Sequence, residues 1–249
     1  MKNPLFFLVG FLAVFALGCK KDDETELPAA VQELQIVIDH SSTNTPFNFI
    51  DVFENPAGNS FKTSTLKYIL SNFELIKEDG AAVSFGNIEV VNEESDSSKS
   101  FKLLNVPDGK YTAMRFAIGV DSLQNATLVN GGGDLDPSDG MVWTWSTGYI
   151  FLKHEGQYLD SAGVWKPFFY HLGTNRGYCE IEIPIDGFEM AGKLRTLNLN
   201  LDLFKMYGER EDIDYRIWWN EQSTGINAIP WMNALTANLK KSFTVRSIE

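Results

Sequence analysis

Leu66-Lys67-Tyr68-Ile69-Leu70-Ser71-Asn72-Phe73-Glu74-Leu75-Ile76 is a long run of aromatic and branched apolar residues that ends at Glu78-Asp79-Gly80. Such residues suit a pleated, half-buried surface, and Asp-Gly supplies a turn. Similar runs lie on both sides of it. Phe101–Leu104 and Tyr111–Ile118 flank Val106-Pro107-Asp108-Gly109, where proline presets φ and glycine accepts a positive φ. Leu34–Ile38 opens the series, and Trp143–Lys153, Phe168–His171, Tyr178–Ile183 and Leu194–Leu201 complete it. Ser95–Ser100 is polar and reads as a solvated loop. One late segment has a different period. Trp231, Leu235 and Leu239, with Met232 beside them, recur every four residues after Pro230, which is helical spacing with proline in the first turn. The expectation is an all-β fold: an antiparallel β-sandwich with a short C-terminal helix that feeds Phe243-Thr244-Val245.

Before the first strand, Met1-Lys2-Asn3-Pro4 precedes an uncharged stretch from Leu5 to Gly18, then Cys19. A basic start, a short apolar stretch and small residues before a cut read as a secretory signal over 1–18. Ala16-Leu17-Gly18-Cys19 resembles the lipobox of bacterial lipoproteins, which implies lipidation of Cys19. The polar residues of 19–30, with Lys20-Lys21-Asp22-Asp23-Glu24, read as a tether. They also resemble the surface-export signal of Bacteroidetes lipoproteins. An anchored position at the outer membrane or cell surface is expected, with 31–249 as one β domain.

The net charge is −12 and no basic cluster stands out, which argues against nucleic-acid binding. With Cys19 acylated, Cys179 is the remaining thiol, so no internal disulfide is expected.

No GxSxG, HExxH, P-loop or CxxC pattern occurs, so no nucleophile and base can be paired and an enzyme is not expected. Asn130-Gly131-Gly132-Gly133 lacks the lysine and helix start of a phosphate cradle and reads as a loop. Asp134-Leu135-Asp136-Pro137-Ser138-Asp139-Gly140 resembles a calcium loop only loosely, its glycine one position late and a proline at the fourth. Calcium is the lesser reading there, and an acidic turn the plainer one. Three histidines exist, His40, His154 and His171. The ordinary reading of each is a satisfied core or surface histidine, but His40 and His171 stand near strand ends, where loops assemble sites. Neutral imidazole suits copper and zinc. In Met141–Tyr149, a strand would place Trp143, Trp145, Thr147, Tyr149 and Phe151 on one face. That face reads as a core ladder, a stacking platform or a modified tryptophan.

Several of these segments together resemble the MbnP-like copper-binding family. The resemblance rests on Met141–Tyr149 continued by Ile150–Lys153 and Glu155-Gly156, on Leu66–Asn72, on Phe116–Asp121, on Leu135-Asp136-Pro137 and on Phe169-Tyr170-His171-Leu172-Gly173. It implies a periplasmic or surface β protein found beside a dihaem peroxidase-like partner. It also implies copper, as copper(I), held by two histidines with a tryptophan oxidised to kynurenine. Carried over by motif, His40 and His171 correspond to the metal histidines and Trp143 and Trp145 to the two tryptophans. His154 falls at a variable position. A further histidine frequent ahead of the last helix is missing, since Trp218-Trp219-Asn220-Glu221 stands there, and the third ligand stays open. A reading from another class also stands: a glycan- or protein-binding module using exposed aromatics, favoured if Trp165 and Trp218 are exposed and the histidines buried.

Overall fold

A computed structural model describes residues 32–127, 135–146, 148–192 and 194–249. The signal, Cys19, the tether, Asn130–Gly133 and Asp134 lie outside the described residues.

The first strand shows how side chains are sorted. In Glu33–Ser42 (β1), Leu34, Ile36, Ile38 and His40 are buried, while Gln35, Val37 and Asp39 are less so. This is the period-2 alternation of a strand with one dry face. The remaining strands are Thr45–Pro46 (β2), Phe53–Glu54 (β3), Ser60–Lys77 (β4), Ala82–Asn92 (β5), Ser100–Leu104 (β6) and Gly109–Ile118 (β7). Then follow Ile150–Leu159 (β8), Trp165–Gly173 (β9), Cys179–Met190 (β10), Arg195–Asp202 (β11), Asn220–Gln222 (β12) and Phe243–Ile248 (β13). Helices occupy Ser122–Thr127 (α1), Thr174–Gly177 (α2), Leu203–Met206 (α3) and Ile229–Ser242 (α4).

One sheet runs β13-β11-β1, with β6 and β2 pairing successive parts of β1. The other is built on β4. Residues 61–68 pair with β8 and 70–77 with β7, while β3 and β5 pair with the opposite edge. Within the stretch paired with β7, Asn72 adopts φ 53° at a register shift, a conformation that asparagine tolerates better than most residues. Strand β10 extends this sheet from β7, and β9 and β12 extend it from β8. The sandwich with its C-terminal helix is therefore present. Two pairs, β1 with β11 and β9 with β12, are parallel; the other pairs among the described residues are antiparallel. The parallel pairs are reached by long connections, which short hairpin turns cannot make.

Tyr68 and Phe116 of the larger sheet meet Phe243 of the smaller, at ring separations of 6.2 and 5.1 Å. Burial of each such ring stabilises the fold by about 1.5–3 kcal/mol. Over β8 and β9 the inner face is covered by helix: Trp231 of α4 lies 5.3 Å from Tyr170. Trp231, Met232, Leu235 and Leu239 form the buried stripe of α4, with Pro230 in its first turn.

Candidate metal centre on the outer face of the larger sheet

The segment expected to be a strand from Trp143 is instead a loop, and β8 begins only at Ile150. The chain doubles back, so that Val142 bridges Tyr149 and the Trp143 amide donates to the Gly148 carbonyl at 3.3 Å. Gly148 makes the reversal feasible. Its φ is +104°, and a Cβ there would fall 2.5 Å from Asn125 Oδ1. That same oxygen accepts the Tyr149 amide at 2.8 Å. The shared aromatic face is thereby lost: Trp143 is 4% exposed and Trp145 59%. Their rings still touch, with centroids 5.4 Å apart, and Thr147 lies outside the described residues.

Trp143 packs onto β9. Its indole Nε1 donates to the Tyr149 carbonyl at 3.1 Å, and its ring lies over Gly173 and 5.9 Å from the His171 ring. In β9, Phe168, Tyr170 and Leu172 are fully buried. Alternation then places Phe169, His171 and Gly173 on the opposite, outer face. The pairing of His171 with Lys153, itself paired with Lys67, continues that outer row. His171 is nevertheless only 7% exposed, because the loop covers it. Its Nε2 lies 2.7 Å from Glu155 Oε1, and its Nδ1 is buried without a hydrogen-bond partner. Hydrogen bonding from His171 holds the Glu155 carboxyl below the ordinary range against the opposing effect of burial, with help from Lys153 3.6 Å away.

His40 sits elsewhere. It continues the inward row of β1 and contacts Tyr68 between the sheets. Its Nε2 is 2.8 Å from the Tyr68 hydroxyl and its Nδ1 2.6 Å from Glu93 Oε2. Burial favours the neutral form of Glu93, but the hydrogen bond and charge of His40, aided by Lys99, leave its carboxyl below the usual range. Burial, and then Glu93, push the Tyr68 hydroxyl well up. His154 is fully buried among Phe168, Tyr207 and Phe61. Its Nε2 meets Thr63 Oγ1 at 2.7 Å and its Nδ1 the Tyr207 hydroxyl. Burial pushes its pKa down to about 3, so it is a neutral core residue.

The structure does not bring together the two histidines expected to share one ion, His40 and His171. The two imidazoles lie on opposite faces of the larger sheet, because His40 meets the inward Tyr68 while His171 occupies an outward position of β9. Among the described residues no three of His, Cys, Asp and Glu converge as a metal-binding group. In the acidic loop, Asp136 accepts the Ser138 amide at 2.7 Å and so closes its own turn. Glu155 was missed by sequence reasoning, although its position beside Phe169 in the β8–β9 register is the signal that places it near His171. Trp165 and Trp218, whose exposure would favour an aromatic platform, are half-buried, Trp165 beneath the Lys62 ammonium at 4.8 Å.

No curated protein sequence matches the chain. The fold resembles that of MbnP from Methylosinus trichosporium, with a TM-score of 0.53 and 13% identity, over 82% of this chain and 87% of that one. The MbnP family model matches residues 31–227, and with the greater part of its length so matched, the chain belongs to the MbnP family.

Proposed function

We propose that the protein binds copper, as copper(I), at His171 beside Trp143. Family membership suggests a copper-related role, and the buried, unpartnered Nδ1 of His171 is the observation that carries the site. A neutral imidazole in a water-poor setting suits copper better than magnesium or calcium. The neighbouring apolar ring of Trp143 favours the softer, singly charged ion. A further donor would come from Trp143 in its oxidised, kynurenine form, whose aryl amine and ketone can both coordinate. Trp145 is the alternative modified residue. A dihaem peroxidase-like partner is the source of the oxidation in this reading, and Trp145, exposed and in ring contact with Trp143, is the group such a partner meets first. The chain itself is assigned no catalytic step. It acts from the outer membrane or cell surface, anchored through Cys19. His40 takes a structural role.

The test is copper(I) competition against a chromophoric chelator. His171→Ala is expected to abolish competition and His40→Ala to leave it; an unchanged His171→Ala contradicts the reading. Intact mass of protein expressed with its genomic neighbours reads any gain of oxygen or kynurenine, and peptide mapping places it on Trp143 or Trp145.

The exposure of Trp145 (59%), Trp219 (46%) and Phe169 (36%) supports a second reading, a glycan- or protein-binding face. Retained copper affinity in Trp145→Ala and Trp219→Ala, together with lost glycan or protein binding, would favour it.

A further inference from the structure

We infer that Nδ1 of His171 is the metal-binding atom and that Glu155 is the positioning residue that makes it available, an inference that rests on His171 being the copper ligand. A neutral imidazole carries one N–H and one lone pair. A carboxylate can only accept, so the nitrogen 2.7 Å from Glu155 bears the proton. Nε2–H therefore donates to Glu155, and the lone pair is left on Nδ1. That atom is buried and makes no hydrogen bond. Leaving a buried acceptor unpaired is unfavourable, a penalty that a bound ion would remove.

The other two histidines show what a closed arrangement looks like. At His40, Nδ1 stands 2.6 Å from Glu93 Oε2 and Nε2 2.8 Å from the Tyr68 hydroxyl, so both nitrogens face a polar group. At His154, Thr63 and Tyr207 engage the two nitrogens. A carboxylate lies against an imidazole at both His40 and His171; at His40 the other nitrogen meets the Tyr68 hydroxyl, whereas at His171 the other nitrogen meets no polar partner among the described residues. The pairing does more than fix the tautomer. A carboxylate behind an imidazole raises the basicity of the distal nitrogen and locks the ring angle. Glu155 is itself held in register opposite Phe169, and the Lys153 ammonium, 3.6 Å from the same oxygen, orients it.

Two measurements test this. In the wild-type protein, the imidazole 15N resonances of His171 are expected to show a protonated Nε2. Copper(I) should move Nδ1 and leave the Nε2 proton in place; ligation through Nε2 overturns the assignment. In Glu155→Gln, of nearly equal shape, copper(I) affinity should fall about 10–100-fold while the unfolding midpoint stays close to that of the wild type. Wild-type affinity in that variant, with His171→Ala still inactive, overturns the role of Glu155 alone. Unchanged copper binding in His171→Ala would instead remove the copper site on which the inference rests.

Discussion

Replacing Gly173 by alanine should displace Trp143 without straining the backbone. Gly173 is extended, with φ −170°, so any residue can adopt its conformation. Its added Cβ, however, would stand 2.6 Å from the Tyr149 carbonyl oxygen, 3.0 Å from Trp143 Cζ2 and 3.1 Å from Trp143 Nε1. Ring and carbonyl must both retreat, and the 3.1 Å hydrogen bond between them weakens. Overpacking of this kind costs about 1–3 kcal/mol. For a chain of this size each kcal/mol lowers the unfolding midpoint by about 2–4 °C, so Gly173→Ala should unfold roughly 2–12 °C earlier. Thermal unfolding by circular dichroism reads the loss, and tryptophan fluorescence should shift to the red as Trp143 becomes wetter. Copper(I) affinity should fall with it, because the indole no longer covers His171. Gly86→Ala is the control, since a Cβ there meets nothing within 4 Å. If the two variants match in midpoint and fluorescence, the packing argument is refuted.

Three further outcomes are expected. His154, with a folded pKa of about 3 against 6.5, binds no proton in the folded state across that window, whereas the unfolded chain does. Stability should therefore fall as pH drops from 6.5 towards 3, by on the order of 5 kcal/mol from this residue. Urea midpoints for His154→Gln should lose less than the wild type between pH 7 and 4, and equal losses would contradict the assignment. Cys179 is 1% exposed and burial pushes its thiol up to about 12, so iodoacetamide at pH 8 should label it only after denaturation; labelling of the folded protein would count against the structure. His40→Ala leaves Tyr68 and Glu93 without their shared partner and should cost about 2–4 kcal/mol in denaturant unfolding, and wild-type stability would deny His40 its structural role.

Much of the architecture was legible because alternation and turn chemistry act locally. The β4 run, the Pro107-Asp108-Gly109 turn and the Trp231–Leu235–Leu239 stripe each report their own neighbourhood. The parity of the histidines was legible too. His40 follows Leu34, Ile36 and Ile38 at steps of two, whereas His171 is out of step with Phe168, Tyr170 and Leu172, so the two residues face opposite ways. The doubled-back loop at Trp143 was hidden, because its alternating aromatics imitate a strand. What holds the reversal is the hydrogen bond from the Tyr149 amide to Asn125, 24 residues earlier in the chain. Glu155 was hidden for a similar reason: it meets His171 only through the β8–β9 register. Strands β2, β3 and β12 are two or three residues long, too short for any period to show.

Anomalous scattering at the copper edge, from crystals grown with copper(I), addresses the central claim most directly. One peak within bonding distance of His171 Nδ1, beside Trp143 and on the outer face of the sheet, is the expected result. A peak bonded to His40, or shared by His40 and His171 through a rearranged sheet, would contradict it.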